Sequence, residues 1–158
     1  MRATGIVAIM LTIGIGLAGQ AQEPAPAAPA PGSAATYKSA EALAAALKIA
    51  KAIGGMTTSA VAITDQYRIN IVHRAQPAGA IAHAGNTELH YIIEGSGTVV
   101  TGGTIVNGAT AGAATIKDGV TQHVKKGDVV IVPETLPHWY SEVDSAITYL
   151  EVRWLAPK

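Results

Sequence analysis

The sequence predicts an all-β domain, a sandwich or small barrel, set behind one amphipathic helix. Three observations carry that prediction. β-Branched and aromatic residues recur in short period-two runs from Val61 onward. Gly, Asn, Asp and Pro punctuate those runs at close intervals. A helical period is present only before Gly54-Gly55.

Composition narrows the chemistry. The 158 residues carry 11 Lys+Arg against 11 Asp+Glu, so no basic face is offered to nucleic acid or anionic lipid. Charged residues are only 14% and the chain is rich in Val, Ile and Ala, a balance that favours a packed core over disorder. Without a single Cys, disulfide scaffolds, thiol catalysis, iron–sulfur clusters and thiolate zinc sites are excluded. Any metal must be held by imidazole and carboxylate.

Taken in chain order, residues 1–21 read as a secretory signal. Arg2 gives a positive start, Gly5 to Ala18 an apolar core, and Gly19-Gln20-Ala21 a small-residue cleavage site. The apolar run is short of the roughly 20 residues a membrane span needs, so a retained anchor is the lesser alternative. No other stretch is long and apolar enough to span, and the mature protein is expected to be periplasmic or secreted. Residues 22–37 form a linker, with four Pro among the fourteen residues from Gln22 to Ala35 favouring extended, solvated backbone.

Residues 38–55 hold the helix. Ser39 is placed to cap it, Glu41 suits its first turn, and Lys48 and Lys51 suit its end. Leu43, Leu47, Ala50 and Ile53 fall on one face, which predicts about four turns with an apolar stripe to bury. Residues 56–158 then form the β domain. Its Gly/Ala/Thr-rich insert from Asn107 to Thr115 carries no ligand-type side chain and reads as a flexible surface loop or edge hairpin.

The histidines make the sequence specific. His83, Glu88 and His90 lie within eight residues, and His138 follows the stretch Gly127 to Pro137. Imidazole with carboxylate is a ligand set for Fe, Mn, Zn, Ni or Cu that leaves positions open for substrate. Glu88 and His90, two apart in a strand, share a face. Glu88 is either a ligand or a carboxylate that orients an imidazole tautomer. His90 is a ligand, a general acid/base or a buried structural residue. His73 reads as structural or surface and His123 as solvated. Tyr91, Trp139 and Tyr140 read as core or rim, with one of Trp139 and Tyr140 free to line a pocket.

These residues resemble the motifs of the cupins. His83-Ala-Gly-Asn-Thr-Glu88-Leu-His90-Tyr91-Ile-Ile-Glu94-Gly95 fits the end of the first motif, and Gly127-Asp128-Val-Val-Ile-Val-Pro133-Glu-Thr-Leu-Pro137-His138 fits the second. The resemblance covers about residues 57–155. It implies an antiparallel jelly-roll β-barrel with one divalent metal ion (Fe, Mn, Zn or Ni) in its mouth, held by His83, Glu88 and His138. Two departures stand out. The histidine the motif has two residues before His83 is Ile81, which makes His90 the candidate substitute as fourth ligand, or an acid/base beside the metal. The motif's second-turn glycine is Thr135.

Function follows at the level of class. The resemblance implies a metalloenzyme acting on a small oxygenated organic molecule, as dioxygenase, lyase or isomerase. The alternative is a non-catalytic cupin module that binds a small molecule or a metal, and an empty structural barrel carries the least support. Fold alone does not choose among them. Cupins often pair barrels, so a homodimer is compatible with the resemblance.

Overall fold

The computed structural model describes residues 35–155 apart from 51, 54, 109, 111 and 112. The signal reading of 1–21 and most of the linker reading of 22–37 therefore lie outside the described residues. Helix α1 spans Ala40–Ile49, with the Ser39 hydroxyl accepting from the Ala42 amide at 3.2 Å and Glu41 in the first turn. It is shorter than the expected four turns. Ala50 is already extended, and Ile53 exchanges backbone hydrogen bonds with Met56 instead (2.7 and 3.0 Å). No helix residue is fully buried; Leu43 lies with Val61, Ile69 and Leu150 along a shallow cleft at the sheet.

Among the described residues eight strands follow: β1 Met56–Ile63, β2 Tyr67–Arg74, β3 Asn86–Thr101, β4 Thr104–Val106, β5 Thr115–Lys117, β6 Val120–Lys125, β7 Val129–Val132 and β8 His138–Leu155. Every pairing is antiparallel. The main sheet runs β1-β2-β8-β3-β6, with β7 also on β3, while β4 and β5 form a separate hairpin. This is an antiparallel jelly-roll barrel with one N-terminal helix.

The long strands β3 and β8 form its spine. In β3 the inward residues are Glu88, His90 and Ile92 in the first half but Val99 in the second. β8 changes parity in the same way, from His138 and Tyr140 to Ile147, Tyr149 and Glu151. A strand alternates faces at every residue, so a bulge that adds one residue flips all that follow. Register shifts between Ile92 and Val99 supply that change. Gly95 sits there at φ 82°, where a Cβ would collide with the Ala146 carbonyl. Both halves of each strand thus face one lumen, filled by Val72, Ile92, Val99, Val124, Val130, Val132, Tyr140, Ile147 and Tyr149.

Closure of the barrel shows in His138. Its register partner on β3 is Thr101, far along the strand from Glu88, yet its Nε2 lies 3.7 Å from Glu88 Oε2. Ile81 and His138 also exchange backbone hydrogen bonds (3.0 and 2.8 Å), and the Thr135 amide donates to the His83 carbonyl at 2.7 Å. The segments carrying the two motifs are stapled together by main chain.

That staple has a strained member. Thr135 is at φ 63°, the left-handed region that a β-branched residue rarely enters and where glycine is at ease. Its turn is closed by the Leu136 amide donating to the Pro133 carbonyl at 3.2 Å. Replacing Thr135 by Gly keeps both backbone bonds and removes the strain, offset in part by glycine's greater chain entropy. Thr135→Gly is expected to stabilise the protein by about 1 kcal/mol, a rise of roughly 4 °C in Tm. A lower Tm by differential scanning calorimetry would contradict the strain.

Candidate metal centre

The site is built from the two motif segments and the end of β8. Antiparallel register sets Glu88 opposite Arg153 and His90 opposite Glu151, and alternation turns Glu88, His90 and Glu151 into the lumen. His83 comes from the coil before β3, and His138 opens β8. Glu88 is 1% exposed, His90 2% and His138 4%, while the half-buried His83 stands at the mouth.

Three imidazole Nε2 atoms converge on the Glu88 carboxylate. His83 Nε2 is 3.4 Å from Oε1, while His90 Nε2 and His138 Nε2 are 3.2 and 3.7 Å from Oε2. His138 Nδ1 lies 3.2 Å from the Leu136 carbonyl. A carbonyl only accepts, so the proton belongs on Nδ1 and the Nε2 lone pair is free. His90 Nδ1 is 3.1 Å from the Tyr140 hydroxyl. One ligand atom each from His83, Glu88 and His138 lies within 4.8 Å of the others, and Glu88, His90 and Glu151 form a second such group.

The residues fit a cation. Glu88 Oε1 is buried without a hydrogen-bond partner. Arg153 Nε is close to it, at 3.1 Å, and to Glu151 Oε1, at 3.0 Å, but is aligned to donate to neither. The Arg153 guanidinium donates instead through Nη2 to Glu151 Oε2 at 3.0 Å. A carboxylate oxygen that accepts no hydrogen bond, set among imidazole nitrogens deep in a barrel, belongs to a donor set that an ion at about 2.0–2.2 Å from each atom would satisfy.

A family model described as Cupin matches residues 61–150. The chain belongs to the cupins. Among curated proteins none matches it. Its fold is similar to that of an RmlC-like cupin from Shewanella frigidimarina, at 14% identity over 69% of this chain and 84% of that one with a TM-score of 0.49. A cupin superfamily protein from Desulfitobacterium hafniense is 18% identical over 68% of this chain and 84% of its own, with a TM-score of 0.47. The iron(II) form of HppE gives a TM-score of 0.52 at 15% identity, over 67% of this chain and 54% of that one. At such identity the likeness to HppE shows the fold alone.

Beside the site this cupin has a cavity of about 310 Å³, lined among others by His90, His138, Tyr140, Tyr149, Glu151 and Arg153. The Asn107–Thr115 insert, expected as a surface loop or edge hairpin, joins the paired strands β4 and β5 and contributes Ala114 to the cavity lining. The Ala80 amide donates to the Ala114 carbonyl at 2.8 Å, and both residues line the cavity. Ile81 lines it too, so the position of the motif's absent histidine is an apolar wall. Both Trp139 and Tyr140 line it, whereas Tyr91 is exposed. His73 and His123 lie apart from the site, on Thr148 (3.0 Å) and Asp144 (2.7 Å) respectively.

Sequence reasoning missed Glu151, Arg153 and Arg74. The signal was present: Glu151 and Arg153 continue the alternation of Ile147 and Tyr149, and charged residues on the apolar phase of a strand mark a functional interior. Arg74 likewise follows Val72 in phase.

Electrostatics keep the donors in their ligating forms. Burial pushes the His138 pKa below its ordinary 6.5, so the imidazole is neutral. Burial pushes the Glu88 carboxyl up, but the His90 hydrogen bond, the charge of Arg153 and the charges His138 and His83 carry when protonated together hold it below 4.5. Burial raises the phenols of Tyr140 and Tyr149 far above their usual range, and both stay protonated.

Both lowered values have the same consequence for folding. The unfolded chain takes up a proton at His138 below about pH 6.5 and at Glu88 below about 4.5, before the folded chain does, so stability falls with pH. The metal-free protein is expected to lose stability progressively from pH 6.5 downward, by at most about 1.4 kcal/mol per pH unit for each group. Chemical denaturation in chelator measures this. The slope between pH 6.5 and 5 should flatten in His138→Gln, and an unchanged slope there would refute the assignment.

Proposed function

We propose that this chain is an exported cupin metalloenzyme that holds one divalent ion, Fe, Mn, Zn or Ni, on His83, Glu88 and His138. Its substrate is a small oxygenated organic molecule in the adjoining cavity, and the reaction class is that of a dioxygenase, lyase or isomerase. The observation that carries the reading is the convergence of three imidazole nitrogens on a buried carboxylate, one of whose oxygens accepts no hydrogen bond. That the similar HppE structure is an iron(II) form is consistent with it. The apolar run before Ala21 supports export.

A bound cation would supply Lewis acidity toward a carbonyl or enolate or, if iron, a place for dioxygen. The chain's own residues do the rest. Arg153 bridges the two carboxylates Glu88 and Glu151, and Asn70 donates to Glu151 at 2.7 Å. His90 lines the cavity and touches Glu88 and Tyr140, where its imidazole can give or take a substrate proton. Tyr140 and Tyr149, stacked with ring centroids 5.5 Å apart, present an apolar wall that excludes water.

Metal analysis of the protein purified from the periplasm tests the reading. About one equivalent of a single divalent metal is expected. His83→Ala, His138→Ala and Glu88→Gln should weaken binding by more than the about 10–100-fold typical of an outer-shell partner. His90→Gln should keep the metal and lose turnover on a panel of oxygenated small molecules if it is the acid/base, and lose both if it is a fourth ligand. Metal retained with no turnover on any substrate would favour the non-catalytic binding module. Failure of the wild type to bind any of the four metals would sink the assignment.

A further inference from the structure

Arg74 is the buried charge that the metal site does not use. It ends β2 facing the lumen, is 6% exposed and lines the cavity. Its Nη2 donates to the Tyr149 hydroxyl and to the Met56 thioether sulfur, each at 3.2 Å. Its Cζ lies 4.9 Å from the centre of the Tyr140 ring. A neutral phenol, a weakly accepting thioether and a ring face do not neutralise a guanidinium, which is always charged. Nε and Nη1 have no hydrogen-bond partner at all. Among the described residues the carboxylates of the lumen pair with Arg153 and the histidines, none with Arg74.

A buried cation left without a counter-charge is costly to fold around, by several kcal/mol in general. The charges of the lumen are moreover unevenly spread. At the histidine end, Glu88 and Glu151 share one guanidinium, which leaves that end an anion in excess, the charge a metal ion would answer. Beyond His90, Tyr140 and Tyr149, Arg74 leaves the cavity a cation in excess. With a divalent ion bound, the whole lumen becomes net positive.

We propose that Arg74 is the receptor for an anionic group, carboxylate or phosphoryl, on the cavity's ligand. This rests on the proposed metalloenzyme reading only for the ligand's other end, which lies toward the metal; the anion subsite itself stands on Arg74 and its surroundings. The cavity volume is at the low end for ligand pockets, so the ligand is a small acid. Met56, a flexible side chain on the guanidinium's Nη2, is the group that such an anion would displace.

Calorimetric titration of the purified protein, metal-free and zinc-loaded, with malonate, inorganic phosphate and the uncharged malonamide tests this. Malonate or phosphate should bind at least about tenfold tighter than malonamide, the increment of a charge-assisted hydrogen bond. Which of the two binds better identifies the anion's chemistry. Arg74→Gln should bring both anions to within about twofold of malonamide while zinc affinity stays unchanged. Arg74→Lys, which keeps the charge, should retain part of the preference and serves if the glutamine variant does not fold. A preference that persists in Arg74→Gln, or is absent from the wild type in both metal states, overturns the proposal. Anion preference at Arg74 in a protein that takes up none of the four metals would leave this inference standing and the metal reading fallen.

Discussion

The structure turns on one buried carboxylate. Glu88 is almost fully enclosed and stays ionised, which a lone carboxylate in an apolar barrel would not do. Its charge is tolerated because His90, Arg153, His138 and His83 surround it from four different places in the chain: its own strand, the end of β8, the start of β8 and the coil before β3. Those groups meet only if the barrel closes. The polar centre thereby specifies closure, and the closed barrel in turn holds the donors at a fixed spacing.

Closure depends on the doubled parity change in β3 and β8. Had either strand kept strict alternation, the residues of its second half would face solvent and the lumen would lose half its wall. With the shift, Val99 and Tyr140 fill one end while Glu88, His90 and Glu151 meet at the other. Apolar burial supplies the stability at the first end, and the polar set is supported at the second by buried aromatic rings. Tyr140 serves both, stacking on Tyr149 while standing 3.1 Å from His90 Nδ1.

Much of this was legible in the sequence, for physical reasons that can be named. The strand runs showed because period-two alternation is local, and the helix start showed because a cap and a first-turn acid are local. The approach of His83, Glu88, His90 and His138 was legible through motif spacing. The parity change was not, since a bulge is set by the partner strand's backbone as much as by Gly95. The helix end was missed because Ala50 to Ile53 keep a helical period, yet Ile53 gains better hydrogen bonds from Met56. The strain at Thr135 was half-visible: the departure from glycine could be read, but not that the backbone keeps a glycine conformation regardless.

Arg74 and Arg153 show why residue identity alone does not assign a role. Both are arginines on inward strand positions, both border the cavity, and both lie near tyrosine or histidine rings. Arg153 faces two carboxylates directly across or along its strand, so its charge is spent within the protein and its work is to position Glu88 and Glu151. Arg74 stands opposite Met56 on β1 and Ile147 on β8 and meets no acid. The difference is one of register: the β8 acid Glu151 lies opposite Asn70, and the same acid four residues earlier, at Ile147, would have paired Arg74 and closed the anion site. The same sheet geometry that concentrates negative charge around the histidines therefore leaves positive charge at the other end, and the cavity between them is polarised by the pairing of its strands.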